Sequence, residues 1–153
     1  RRQRQMCKET GAVYFESKGE TLEGQLAVAR VIINRAKSGR FASSLCGVIY
    51  QPSQFSFVRG HGMPPINIAS DSWRQAVAIA QIALDDSWDS QAEGALFFHA
   101  RRVSPGWGKT KLASIDNHVF FADPRSPRDS NTLLKAGSDP MSESAFSFVP
   151  FLF

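Results

Sequence analysis

No stretch of this sequence approaches the roughly 18 consecutive apolar residues that a membrane span requires, so stable membrane insertion is not expected. Cysteine is scarce, with Cys7 and Cys46 alone among 153 residues, and no C-x-x-C spacing occurs. That argues against a zinc ribbon or a thioredoxin-like motif, and leaves open whether the pair is two buried thiols or one disulfide. Aromatic residues do not interleave with the basic clusters Arg1, Arg2, Arg4 and Arg101, Arg102, Lys109, Lys111, so a nucleic-acid stacking surface is not suggested. Both clusters read as solvated faces.

What is present describes an ordinary folded chain. A hydrophobic content of 42% against 21% charged residues suits a single domain with its own core. A net charge of +4 and a pI near 9.4 favour polyanions, among them nucleic acid, anionic lipid and the acidic polymers of a bacterial wall. Beyond Asp123 the run Pro124-Arg125-Ser126-Pro127 is linker-like, which divides the chain into a domain over 1–123 and a tail over 124–153 with an aromatic end. Arg1 in first place is consistent with a processed or truncated form.

The most informative stretch is Tyr14 to Gly24, where Glu16, Glu20 and Glu23 fall within eight residues. Met6–Ser17 reads as a helix, with Gly19 in the left-handed position that ends it. Glu16 then lies in the last turn, where the negative end of the dipole and the apolar rings of Tyr14 and Phe15 both raise a carboxyl pKa. That makes it a candidate general acid; the alternative is a solvated surface acid. Thr21–Lys37 repeats Leu22, Leu26, Ala29, Ile33 at helical spacing, with Glu20 and Glu23 at its positive end.

Ser43 or Ser44 caps a short helix through Tyr50, and Pro52 rules out its continuation. Ser70 or Asp71 caps a helix to Asp85, with Trp73, Val77, Ala80 and Leu84 as its buried face. Ala95–Ala100 and Val119–Ala122 read as strands. His99 and His118 would meet if those strands pair, but no third and fourth ligand is evident, so hydrogen-bonded positioning is expected rather than a metal. No cofactor is expected. Trp107, between glycines, is either an exposed ring for stacking on a sugar or a loop anchor.

Glu16-Ser-Lys-Gly-Glu-Thr-Leu-Glu-Gly through Arg35 resembles the signature of the cell wall hydrolase family that includes the spore cortex-lytic enzymes SleB and CwlJ. Phe41 with Leu45–Tyr50 and Gln54-Phe55-Ser56, then Ala95–Ala100, then Asn117–Phe121, resemble its later blocks in the same order. The resemblance implies an α+β fold, a mainly helical, two-lobed, lysozyme-like domain with a small antiparallel sheet. It implies cleavage of peptidoglycan glycan strands between N-acetylmuramic acid and N-acetylglucosamine, as a lytic transglycosylase ahead of a muramidase. Glu16 matches the catalytic glutamate. Glu20, Asn34, Gln54, Phe55, Ser56, His99, Trp107 and His118 are the candidate substrate-groove residues. A stem-peptide amidase and a wall-binding module are the rival readings. Work at the bacterial cell envelope, periplasmic or secreted, would favour a Cys7–Cys46 disulfide. Lys18 and Asp116 stand where that family has Arg and Gly.

Overall fold

Thr21, Ser44 and Ser70 each have extended backbone and accept a hydrogen bond from the N–H of Gly24, Gly47 and Trp73 respectively. Those caps start three of the four helices in the computed structural model: α1 (Arg2–Ser17), α2 (Leu22–Lys37), α3 (Leu45–Ile49) and α4 (Asp71–Asp85). The helices lead into a sheet, β1 (Phe97–Ala100), β2 (Thr110–Ile115) and β3 (His118–Ala122), antiparallel in the order β1-β3-β2. The structure describes residues 2–51, 55, 57–58 and 63–123, with side chains from residue 9 onward. The tail over 124–153 and its boundary lie outside them.

Helix α2 is the centre of the molecule. It is buried from Gly24 to Ile33, and Val28, Ala29, Val31 and Ile32 have no exposed surface, so α1, α3 and α4 pack around it. Leu22, expected in the apolar stripe, is 46% exposed because the stripe begins one turn later, at Leu26. On α4 the buried stripe is Ala76, Ile79, Ala80 and Ala83, turned from the expected Trp73, Val77 and Leu84, which are half-buried. Three alanines on one face let the helix approach α1 and α2 closely, and that advantage outweighs burying the larger side chains.

The sheet contains one strand more than the sequence suggests. In β2 the register with β3 slips between Lys111 and Ala113, which breaks the two-residue alternation by which a strand is recognised. Cys46 is a free, half-buried thiol, so the expected bridge to Cys7 is not formed. That expectation rested on compartment, whereas a disulfide depends on how the two Cβ atoms are placed. The Cys7 side chain lies outside the described residues.

Glu9 of α1 is a charged residue wholly inside the helical layer, with neither carboxyl oxygen hydrogen-bonded. Burial pushes its pKa from 4.5 up to about 8, with Arg30 pulling it down. The folded pKa lies above the unfolded one, so this group's stability contribution is full below about pH 4.5 and is lost as pH rises towards 8. Glu9→Gln is therefore expected to unfold at nearly the same urea concentration as the unmodified protein at pH 4.5. At pH 9 it should be more stable by roughly 4 kcal/mol.

Candidate active site

At the end of α1 the chain must turn sharply to start α2, and Gly19, at φ 84°, supplies the left-handed residue that allows it. Glu20 N–H donates to the Ser17 carbonyl across this turn at 3.1 Å, and the Ser17 hydroxyl is tied back to the Val13 carbonyl at 2.7 Å. Glu16 is thereby held on the last turn of α1. Its Oε1 is removed from solvent with no hydrogen-bond partner. Burial raises its pKa to about 8; Arg35 opposes the shift and the neighbouring Glu20 adds to it.

Arg35 reaches this region from the far end of α2. It is completely buried, donates from Nε to the Leu96 carbonyl at 2.7 Å, and has its guanidinium carbon 4.8 Å from the Phe41 ring centre and 5.8 Å from that of Phe97. Burial lowers the Arg35 pKa and Glu16 raises it, so each group's field is felt by the other.

Glu20 turns inward onto His118. The imidazole Nδ1 lies 3.1 Å from Oε1 and 3.2 Å from Oε2, with 4% of the His118 side chain and 8% of that of Glu20 exposed. Asp116 sits at φ 51° in the β2–β3 turn, and its Oδ2 accepts from the Thr21 N–H at 2.9 Å and the Thr21 hydroxyl at 2.6 Å. The hairpin tip is thus fastened to the start of α2. Gly24 makes room for it: a Cβ there would lie 2.4 Å from Asp116 Oδ2 and 3.0 Å from Glu20 Oε2. Alanine is the better helix former, but this collision outweighs the propensity gain. Gly24→Ala is expected to lower stability by roughly 2 kcal/mol in denaturant unfolding, by prising Asp116 from its cap.

These pieces enclose a cleft of about 440 Å³ between the α1–α2 turn and one end of the sheet. Glu16, Lys18, Gly19 and Glu20 line one side, and Ala100, Arg101, Arg102, Asn117 and His118 the other. Arg101 N–H donates to the Asn117 carbonyl at 2.8 Å, holding the turn after β1 against the β2–β3 turn.

The other residues singled out in the sequence lie elsewhere. Asn34 donates to the Ala95 carbonyl at 2.9 Å and fixes the approach to β1. Phe55 is a core residue, 2% exposed, 5.5 Å from the Phe57 ring. Gln54 and Ser56 lie outside the described residues. His99 and His118 do not meet. In the β1–β3 register Ala100 pairs with His118 and His99 with Val119, so the two imidazoles project from opposite faces of the sheet. His99 packs instead with Trp107 and Phe121, at ring distances of 5.3 and 5.1 Å. Trp107 is half-buried on that outer face and also touches Phe97, so it anchors its loop away from the cleft. Among the described residues no three of His, Cys, Asp and Glu lie together as a metal-ligand set.

Sequence reasoning did not assign Arg35, Asp116, Arg101 or Arg102 to the site. A signal existed for Asp116, because Asp-Asn between two alternating segments favours a hairpin turn with positive φ. Arg101 and Arg102 come directly after a recognisable strand, which places them at its end. Nothing local in the sequence marks a buried arginine.

A sequence model of the cell wall hydrolase family matches residues 19–121, beginning just after Glu16. The spore cortex-lytic enzyme of Bacillus subtilis (strain 168) is 34% identical over 113 residues, which cover 71% of this chain and 34% of that protein. That of Oceanobacillus iheyensis is 35% identical over 111 residues, covering 71% and 38%. The chain thus spans about a third of the length of these curated relatives. The crystal structure of the catalytic domain of Bacillus cereus SleB superimposes with a TM-score of 0.66 at 29% identity, covering 78% of this chain and 90% of that one. The catalytic domain of the germination-specific lytic transglycosylase SleB from Bacillus anthracis does so at 0.65 and 30%, covering 78% and 94%. The α+β arrangement is accordingly lysozyme-like.

Proposed function

Because the chain belongs to the cell wall hydrolase family, we propose that it cuts peptidoglycan glycan strands between N-acetylmuramic acid and N-acetylglucosamine as a lytic transglycosylase. Glu16 serves as acid and then as base. The observation that carries this reading is the Glu16 carboxyl itself, protonated up to about pH 8 by burial and facing a cleft large enough for sugar rings.

Glu16 gives its proton to the glycosidic oxygen as the bond from muramic acid C1 to that oxygen breaks and an oxocarbenium-like centre develops. Arg35 stabilises the carboxylate left behind. The oxygen of the sugar's own C6 hydroxyl then bonds to C1, and its proton returns to Glu16. The products are a 1,6-anhydromuramic end and a free N-acetylglucosamine end, with no water consumed. Glu20 keeps Glu16 protonated through its charge, and His118 holds Glu20 in place.

A hydrolytic route needs a second carboxylate to activate water. Glu20 is the candidate, but both of its oxygens lie on His118 Nδ1, which favours the transglycosylase reading. An amidase acting through zinc would require a ligand set, for which the described residues offer no cluster. The family points to action at the bacterial cell envelope, periplasmic or secreted.

Mass spectrometry of the soluble products of purified peptidoglycan tests the proposal. Anhydro-muropeptides released by the unmodified protein and absent with Glu16→Gln are the expected result. Reducing muramic acid ends would indicate hydrolysis, free stem peptides would overturn the glycosidase reading, and binding without product would favour a wall-binding module.

A further inference from the structure

The cleft is chemically lopsided. Lys18, Arg101 and Arg102 are exposed on its walls, and among the described residues none has a carboxylate partner. The acids nearby are already engaged or neutral. Glu20 is turned onto His118, Asp116 accepts two hydrogen bonds from Thr21, and Glu16 keeps its proton through neutral pH. The mouth therefore presents three cations with nothing of opposite sign to answer them. Their placement is fixed, because Arg101 is pinned through its N–H to Asn117 and Lys18 adjoins the tied last turn of α1, with Nζ 4.9 Å over the Tyr14 ring.

N-acetylated glycan is itself uncharged, so a purely saccharide groove has no use for such a rim. The charge on a peptidoglycan strand lies in the carboxylates of the peptides attached to muramic acid, which stand beside the bond to be cut. Planar guanidinium groups match a carboxylate in geometry as well as in sign. We infer that Lys18, Arg101 and Arg102 form a carboxylate-recognition subsite that selects strands whose muramic acids carry free acidic stem peptides. This rests on the reading that the cleft takes peptidoglycan.

The test separates binding from cleavage. Soluble glycan-peptide oligomers are prepared with free carboxylates, and a second batch has those carboxylates converted to amides. Equilibrium binding to the full chain carrying Glu16→Gln is measured in parallel with cleavage by the unmodified protein. The free acid is expected to bind about tenfold more tightly than the amide, with the advantage shrinking in high salt and lost in the Arg101→Gln, Arg102→Gln background. In cleavage the same preference should appear in KM rather than kcat.

Equal binding of acid and amide overturns the inference, as does an equal loss on both substrates when the arginines are replaced. A carboxylate preference in binding without cleavage of either batch would sink the transglycosylase proposal and leave the subsite standing. If teichoic phosphate were the true anion, added glycerol phosphate oligomers would compete better than free stem peptide. That result would also overturn the inference.

Discussion

Glu16→Gln is expected to reduce the rate of glycan cleavage by about a thousandfold while changing strand affinity less than threefold or so. Glutamine has nearly the same shape but no proton to give to a leaving oxygen. The pH dependence gives a sharper readout. With the Glu16 pKa near 8, cleavage by the unmodified protein should hold steady below that value and fall about tenfold per pH unit above it. The residual rate of the variant should lack this limb. Stability should move the other way. The raised folded pKa costs the unmodified protein stability progressively between pH 4.5 and 8, so the glutamine variant should unfold at a higher temperature at pH 9 and at a similar one at pH 4.5. A uniform loss of activity and stability at every pH would indicate damage to packing.

Arg35→Met is expected to cost about a hundredfold in kcat but only roughly 1 to 2 kcal/mol in stability. The usual fear with a buried arginine is that its removal strands a buried counter-charge. Here Glu16 is neutral below about pH 8, so the resting protein loses little beyond the hydrogen bond to Leu96 and the stacking on Phe41 and Phe97. Charge appears on Glu16 only during the reaction, and there Arg35 matters. Because Arg35 lowers the Glu16 pKa, its loss should push the alkaline limb of the pH profile upward even as the rate falls. Arg35→Lys retains charge without the fork that holds Leu96, and should recover only part of the rate. Titration of the two variants from pH 6 to 10, alongside urea unfolding, separates an electrostatic role from a structural one.

Much of the helical frame could be read from local chemistry. Thr21, Ser70 and Gly19 announce their roles through side-chain oxygens and an absent Cβ, and each is found in that role. Burial and register are harder to read, because they depend on partners distant in sequence. The facing of His99 and His118 turns on a register in which a slip of one residue would reverse both, and no local signal fixes it. The exposed Leu22 and the buried Glu9 likewise depend on what α2 and its neighbours present to them. The disulfide expectation failed because it was drawn from compartment rather than from placement. For the site, the acid was legible from its helix-end position and aromatic company, whereas Arg35 arrives from a helix whose pattern reads as plain core.

The fit of Asp116 against Gly24 makes three distant positions a single unit of inheritance. A lineage carrying glycine at 116 has no carboxylate to seat, and is free to acquire alanine at 24, whereas this one must keep 24 bare for as long as Asp116 holds Thr21. Alanine at 24 should accordingly be harmful here alone and partly forgiven when Asp116→Gly accompanies it, so the order in which the two changes arise decides which are viable.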